Sequence, residues 1–339
     1  MRNHHLGTLA EQAGMMGNPE LETSLLMQHP IFDRFHWAPP RTDGAFQVNA
    51  IGARARMRFD RGLTPGAPRT CDARCPRAPA LDEEYFEWID MLSAVDGYLS
   101  QPSPQKPFVF VELGAGYGRW TVNALCALRQ RSPAAPYFAI GVEADSVHFK
   151  WMGRNFRDNG IDLSRTKLIN APVSGSGKPV YFHTGDPESW YGQAIVNQDY
   201  VRALRCDLAA QRTNNAYVGK PGLLARLGLS RKRYIAEVTS VTMAEILANV
   251  SGPIDIVDMD IQGAESEVIE SGADLLTSAV RRLHVGTHAV EIEQRLREIL
   301  TPRSWVLQHD YSCLGLRATP YGDVSFVDGV QSWLNANLT

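Results

Sequence analysis

Apolar residues along this chain fall into a repeating order of short solid runs and longer spaced stripes. Residues 108–111 are a continuous apolar run, as expected of a strand buried on both faces of a parallel sheet. A glycine-rich turn follows, and then a helix with Trp120, Ala124, Leu125 and Leu128 on one face. The order repeats. Residues 137–143 read as a second strand, and Phe149, Met152 and Phe156 mark the next helix. Residues 167–173 read as a third strand. Met243, Ile246, Leu247 and Val250 mark a helix and 254–261 a strand. Residues 282–288 read as a further strand, with Ile292, Leu296 and Ile299 on the helix behind it. Short strands near 305–308 and 324–327 are expected to finish the chain. Strands alternating with helices of this size predict an α/β fold with a doubly wound sheet.

Two stretches break the alternation. Residues 1–81 read as a partly irregular extension: the first 80 hold ten arginines, no lysine and seven acids, and residues 61–80 are rich in Pro, Gly and Arg. Residues 46–59 read as a short hairpin. From Leu81, Tyr85, Ile89 and Leu92 recur at helical spacing, with Asp82 placed to cap the helix. The main domain is therefore expected over 82–339. Residues 184–236 interrupt it after the third strand, and an insertion of that length is more often a lid or binding loop than an idle connection.

Composition narrows the function. The 339 residues carry a formal net charge of −3 and 21% charged residues, which does not suit a protein built to hold nucleic acid. No apolar run reaches the roughly 18 residues of a membrane span. The first residues lack the apolar core of a secretory signal. Five scattered cysteines read as reduced thiols, so a cytoplasmic location is expected. Cys71 and Cys75 form a C-x3-C pair, but Ala78 stands where a radical-type cluster would need a third cysteine.

The sharpest motif is the turn Glu112-Leu113-Gly114-Ala115-Gly116-Tyr117-Gly118-Arg119, between a buried strand and a helix. Its glycines let a ligand approach main-chain N–H groups. Arg119 stands where a dinucleotide fingerprint has its third glycine, and Glu112 precedes the first by two positions. That pattern suits S-adenosylmethionine (SAM) better than NAD: SAM has no pyrophosphate, but it has an ammonium group that a carboxylate can meet. Glu143 ends the second strand, where an acid accepts hydrogen bonds from ribose hydroxyls. Asp145 reads as a helix cap.

These residues resemble the FkbM family of SAM-dependent methyltransferases, over roughly residues 82–311. The resemblance is carried by Tyr85-Phe86-Glu87-Trp88-Ile89-Asp90, by the glycine turn and by Trp190-Tyr191-Gly192-Gln193. It is carried further by residues 255–265 (DIVDMDIQGAE) and by His284-Val285-Gly286-Thr287-His288, with Glu291 and Glu293 behind it. The family commonly has D-x-E-G-x-E or D-x-Q-G-x-E at this strand end, and this chain has the Gln form. Some members carry lysine two residues before the central Asp; here that residue is Asp258, so no role of that lysine carries over. The resemblance implies a Rossmann-like methyltransferase fold and methyl transfer, usually to an oxygen, with acceptors that are mostly hydroxyls of sugars or secondary metabolites.

Transfer to a hydroxyl needs positioning and a base. The expected cofactor residues are Glu112, Gly114, Ala115, Gly116, Tyr117, Glu143, Asp260 and Gln262, with Asn170 and Ala171 on the edge that touches the adenine. Asp260 and His288, at the ends of adjacent strands, are the expected catalytic pair, and a histidine of ordinary pKa suits a base near neutrality. His284 reads as buried and structural, and Glu265 as support for the helix after it. Trp190, Tyr191 and Gln193 are the expected acceptor residues, because aromatics with polar tips suit stacking on a sugar or ring. Arg226, Arg231, Lys232 and Arg233 read as a solvated face. Asp258, Asp260 and His288 offer a set of ligands for Mg2+. The competing readings are a SAM-binding scaffold without catalysis, an NAD-dependent oxidoreductase and a nucleic-acid methyltransferase.

Overall fold

The computed structural model describes residues 28–59, 79–102, 106–184, 193–207, 211, 216–220, 222 and 233–338. A 3-10 turn, Pro30–Arg34, opens them. Strands β1 (Arg41–Asp43), β2 (Phe46–Val48) and β3 (Arg54–Arg56) form a small antiparallel sheet. The expected hairpin is therefore present and gains a third strand. The expectations for residues 61–78, including Cys71 and Cys75, lie outside the described residues.

Helix α1 (Glu84–Leu99) follows; its N-cap is Glu83 rather than the expected Asp82, whose Oδ1 accepts from the Glu84 N–H at 3.0 Å from one position earlier. Next come β4 (Phe108–Leu113), α2 (Arg119–Arg131), β5 (Tyr137–Val142), α3 (Ser146–Asp158) and β6 (Thr166–Ile169). The interrupting segment carries β7 (Val180–Thr184), β8 (Ile195–Val196), α4 (Gln198–Cys206), β9 (Ala216–Val218) and β10 (Arg233–Val238). Then follow α5 (Met243–Leu247), β11 (Ile256–Met259), α6 (Glu265–Ala279), β12 (Arg282–Thr287), α7 (Val290–Leu300) and β13 (Trp305–Tyr311). The chain ends in β14 (Gly315–Thr319), β15 (Gly322–Phe326) and β16 (Gly329–Asn335).

Seven strands form the central sheet in the order β13-β16-β12-β11-β4-β5-β6. All run parallel except β16, which is antiparallel to both neighbours. This is the doubly wound α/β sheet that the alternation predicts. The chain steps outward from β4 through β5 to β6, then returns to the other side of β4 with β11 and β12. The switch point between β4 and β11 is where open sheets of this kind bind ligands, at the carboxyl ends of the strands.

One sheet face packs Phe108, Phe110 and Ile256 with α1, α2 and α3. The other packs Val109, Val111, Val257 and Val285 with α5, α6 and α7. Ile31 and Phe32 join the first of these cores. The small N-terminal sheet is tied to α3, where Arg56 holds Asp158 through contacts of 2.6 and 2.8 Å.

Two further expectations need correction. Residues 324–327 do not finish the main sheet; β15 pairs with β14 in a hairpin. The strand that completes the sheet is β16, whose Gln331, Ser332 and Asn335 are polar yet fully buried. Asn335 donates to the carbonyls of Thr277 and Val280, both at 2.8 Å, and Gln331 donates to the carbonyl of Glu293 at 3.1 Å. Buried polar groups persist where they are paired in this way. The interrupting segment also begins before residue 184, because β7 pairs with β10 in a second sheet of order β8-β7-β10-β9. Val201, Leu204, Ala216 and Ile235 form its own small core. Among the described residues no helix is long and apolar enough to cross a membrane.

Phe86 joins α1 to β13 and to the β14–β15 hairpin, with ring centroids 4.5 Å from Tyr311 and 5.9 Å from Phe326. Phe86→Ala is expected to cost about 3–5 kcal/mol, read by chemical denaturation. A loss below about 1 kcal/mol, well under that range, would mean that this helix is anchored elsewhere.

Candidate active site

The turn after β4 carries glycine at 114, 116 and 118, all at positive φ. At Gly114 the reason is also steric: a Cβ there would lie 1.7 Å from the backbone oxygen of Asp260. The first turn of the cofactor loop therefore rests directly on the end of β11. Glu112 and Glu143 hold the loop from below and from the side. Glu112 accepts from the N–H groups of Trp120 and Thr121 at 3.2 and 3.0 Å and from the Thr121 hydroxyl at 2.5 Å. Its carboxylate thus serves the start of α2, rather than standing free for an ammonium group. Glu143 Oε2 accepts from the Gly116 N–H at 2.7 Å, and its Oε1 from the Asp145 N–H at 2.6 Å. Burial, with Asp258 beside Glu112 and Asp145 beside Glu143, raises each acid to about 8. Asp145 caps α3 as expected. Arg119 is not a vacant glycine position: its guanidinium holds both oxygens of Glu84 on α1.

At the end of β11, Asp260 is more than half exposed (56%) and accepts from Gln262 Nε2 at 2.9 Å. Gln262 itself stands at φ +58°. Glu265 is fully buried and organises this loop. It accepts from Ile261 N–H at 3.3 Å, from Gly263 N–H at 3.0 Å, and from His288 Nδ1 at 2.9 Å. The other ring nitrogen of His288 lies 3.3 Å from Asp260 and 3.8 Å from Asp328. These are ion-pair distances without the alignment of a hydrogen bond, so this nitrogen makes none. Burial alone would lower the pKa of His288, but the nearby charge of Asp260 and the hydrogen bond and charge of Glu265 outweigh it and raise it to about 10. His288 is therefore an imidazolium at neutral pH. It has no lone pair to accept a proton, so the role of neutral base expected for it does not fit these surroundings.

One row deeper, three strands place a polar residue abreast on the face under α1. Glu112 of β4 pairs with Asp258 of β11, and Asp258 with His284 of β12. Glu87 of α1 joins them: Glu87, Asp258 and His284 each bring a ligand atom within 4.8 Å of the others. Burial pushes both carboxyls above their ordinary range; the charge of Asp258 adds to it at Glu87, while at Asp258 the charges of Asp260 and Asp90 add to it and His284 and Glu87 oppose it. Asp90, one helical turn on from Glu87, accepts from His284 Nδ1 at 2.8 Å and from Arg282 at 2.9 Å, and also from the Ser332 hydroxyl. The Mg2+ set expected at Asp258, Asp260 and His288 does not assemble. Asp258 faces Glu87 and His284, while Asp260 and His288 gather around Glu265.

These rows line one cavity of about 240 Å³ at the switch point. Of the expected residues, Glu112, Gly114, Ala115, Gly116, Tyr117, Glu143, Ala171, Gln193, Asp260 and Gln262 line it. Asn170 and His288 do not; the Asn170 side chain ties the carbonyls of Glu143 and Ala144 at 2.8 and 3.1 Å. Trp190 and Tyr191 lie outside the described residues, as do Arg226, Arg231 and Lys232. Sequence reasoning missed Glu83, Glu84, Glu87 and Asp328, which also line the cavity. Only the Glu87–Asp90 spacing on the inner face of a helix hinted at them.

Eight lining residues are acids, against one arginine that is already paired. Such a cavity favours a cation and disfavours the pyrophosphate of NAD. A sulfonium nucleoside with an ammonium group fits that charge, and Glu143 lies beside the glycine turn. These features suit S-adenosylmethionine as the ligand.

Comparison with known proteins agrees. The profile of the methyltransferase FkbM domain matches residues 188–313. A protein of Jannaschia sp. (strain CCS1) named "Putative methyltransferase" is 24% identical over 234 residues, which is 68% of this chain and 74% of that one. Two solved structures are similar at low scores. The N-terminal domain of human METTL16 in complex with SAH has a TM-score of 0.36 at 11% identity, covering 90% of each chain. Precorrin-6y C5,15-methyltransferase from Geobacter metallireducens has a TM-score of 0.34 at 9% identity, covering 72% of this chain and 87% of that one.

The charge on His288 sets a pH test. Its folded-state pKa lies above the unfolded value of about 6.5. The stability it contributes is thus complete below about pH 6.5 and lost as the pH rises through about 10. One pKa unit corresponds to about 1.4 kcal/mol, so the contribution is on the order of a few kcal/mol. Denaturation of His288→Gln and the natural protein from pH 6 to 10 should show a gap that closes with rising pH. A gap constant across that range would mean that the ring is neutral.

Proposed function

We propose that the protein methylates a hydroxyl oxygen of a small molecule, a sugar or glycan, or a secondary metabolite. The observation that carries this reading is the exposed carboxylate of Asp260 at the mouth of an acidic cavity, beside the glycine turn. SAM supplies, when bound, a methyl group on a cationic sulfur. The part left to the chain is to orient the acceptor and receive its proton. Asp260 is the acid on the β11 side of the turn that is both open to solvent and set against the cavity. It is the group that would accept the hydroxyl proton. His288, 3.3 Å away and cationic, positions Asp260 and balances its charge. Glu143 would take the ribose hydroxyls. A carboxylate that accepts such hydrogen bonds is favoured in its charged form, which offsets the cost of its burial. Gly114, Ala115, Gly116, Tyr117, Ala171 and Gln262 would surround the rest of the donor, and Gln193, with Trp190 and Tyr191 before it in sequence, would serve the acceptor. The unpaired thiols Cys126, Cys206 and Cys313 suit the reducing cytoplasm.

Two measurements test this. Calorimetry should show SAM binding that Glu143→Ala weakens at least tenfold, in line with a charged hydrogen bond of about 1.5–3 kcal/mol. Equal affinity in the two proteins would remove Glu143 from the site. Incubation with SAM and a pool of sugars and hydroxylated metabolites should give products heavier by one methylene on mass spectrometry. Asp260→Asn should fold, bind SAM and lose about 10²–10⁴-fold in turnover, the usual worth of a general base. Undiminished turnover would assign the proton to another group.

A further inference from the structure

The floor of the cavity holds a group of side chains that the methyl-transfer reading does not use. Glu87 comes from α1, Asp258 from β11 and His284 from β12. The strand register sets Asp258 and His284 side by side, and α1 lays Glu87 over them. One ligand atom from each lies within 4.8 Å of the others. Ligands about 2.1 Å from a Mg2+-sized ion stand about 3–4.2 Å apart, so the three need close only slightly to share one.

Two further observations point to a ligand. Asp258 is 4% exposed, and its Oδ1 is buried without a hydrogen-bond partner. A buried polar atom left in this way is costly unless something else meets it. His284 is aimed from outside the group: Nδ1 donates to Asp90 at 2.8 Å, and Asp90 is fixed in turn by Arg282 and Ser332. That is the carboxylate–histidine arrangement that sets the ring of a metal ligand and leaves Nε2 to bind. The surroundings also suit positive charge, because Glu112 of the neighbouring strand lines the same cavity.

From this geometry we infer that Glu87, Asp258 and His284 form a binding site for one divalent cation at the floor of the cavity. Two carboxylates and one imidazole are the donor set of a hard or borderline ion such as Mg2+ or Mn2+. Three protein ligands leave further positions to water or to an oxygen of whatever occupies the cavity. The site is separate from the Asp260, Glu265 and His288 group above it.

Mn2+ alone, added to the full chain without SAM, tests this. Electron paramagnetic resonance should show the signal of free Mn2+ lost up to one equivalent, and calorimetry should give the same stoichiometry. Asp258→Asn should weaken binding at least tenfold. If that buried variant does not fold, Glu87→Gln on the helix should show the same loss. Asp260→Asn should leave Mn2+ affinity unchanged. The inference fails if the natural protein binds no Mn2+. It also fails if Asp260→Asn abolishes binding while Glu87→Gln does not, since the ion would then sit at the other group. If Mn2+ does not bind but Glu87→Gln weakens SAM, the floor carboxylates serve the ammonium of SAM, and no cation site exists. SAM affinity is measured separately on each protein, so failure of the cation site and failure of the cofactor reading are told apart.

Discussion

Everything in this site is referred to one close approach, the backbone of Gly114 against the carbonyl of Asp260. No side chain can stand at 114, since its first carbon would lie 1.7 Å from that oxygen. The Asp260 N–H also donates to the Leu113 carbonyl at 2.9 Å. The loop that opens toward the cofactor and the strand end that presents the acid are therefore one rigid piece of backbone. Transfer between two bound molecules depends on holding them in fixed relation. A joint made of main-chain atoms at the switch point supplies that without the entropy loss of ordering long side chains.

The cavity is expensive to build. Glu112, Glu143, Asp258 and Glu265 are each nearly or fully buried, and carboxylates out of water are costly unless paired. The chain offsets the cost unevenly. Glu265 is satisfied by two backbone N–H groups and a cationic ring, and Glu112 by the first turn of α2. Asp258 Oδ1 is left without a partner. Local rules broken without compensation are expected at functional sites rather than in the supporting core. The surrounding sheet keeps the rules: β4 is buried along its whole length.

How much of this was legible in the sequence follows from what each residue contacts. Parallel strands buried on both faces write themselves as solid apolar runs, so β4, β5, β11 and β12 were readable. The glycine turn was readable because its spacing reflects a steric need. Strand β16 was not, because its polar residues are satisfied by carbonyls of Thr277, Val280 and Glu293, which lie far off in the sequence. The charge of His288 was hidden for a similar reason. Asp260, Glu265 and Asp328 reach it from two separate segments, and a lone histidine at a strand end carries no sign of them. His284 looked merely structural because Glu87 and Asp90, which give it a context, belong to a helix nearly two hundred positions earlier.

The D-x-Q-G-x-E sequence then acquires a physical meaning. Its terminal acid, Glu265, sits at the start of α6, yet its oxygens reach back to the N–H groups of Ile261 and Gly263. Closing that loop over so few residues drives Gln262 and Gly263 to positive φ, which glycine accepts freely and glutamine only under constraint. The constraint has a use. With Gln262 turned over, its amide donates to Asp260, and Glu265 holds His288 through Oε1, the same oxygen that accepts from Ile261 and Gly263. One buried carboxylate thereby fixes both neighbours of the exposed one. Asp260 can stand open to the cavity because the groups around it are already committed.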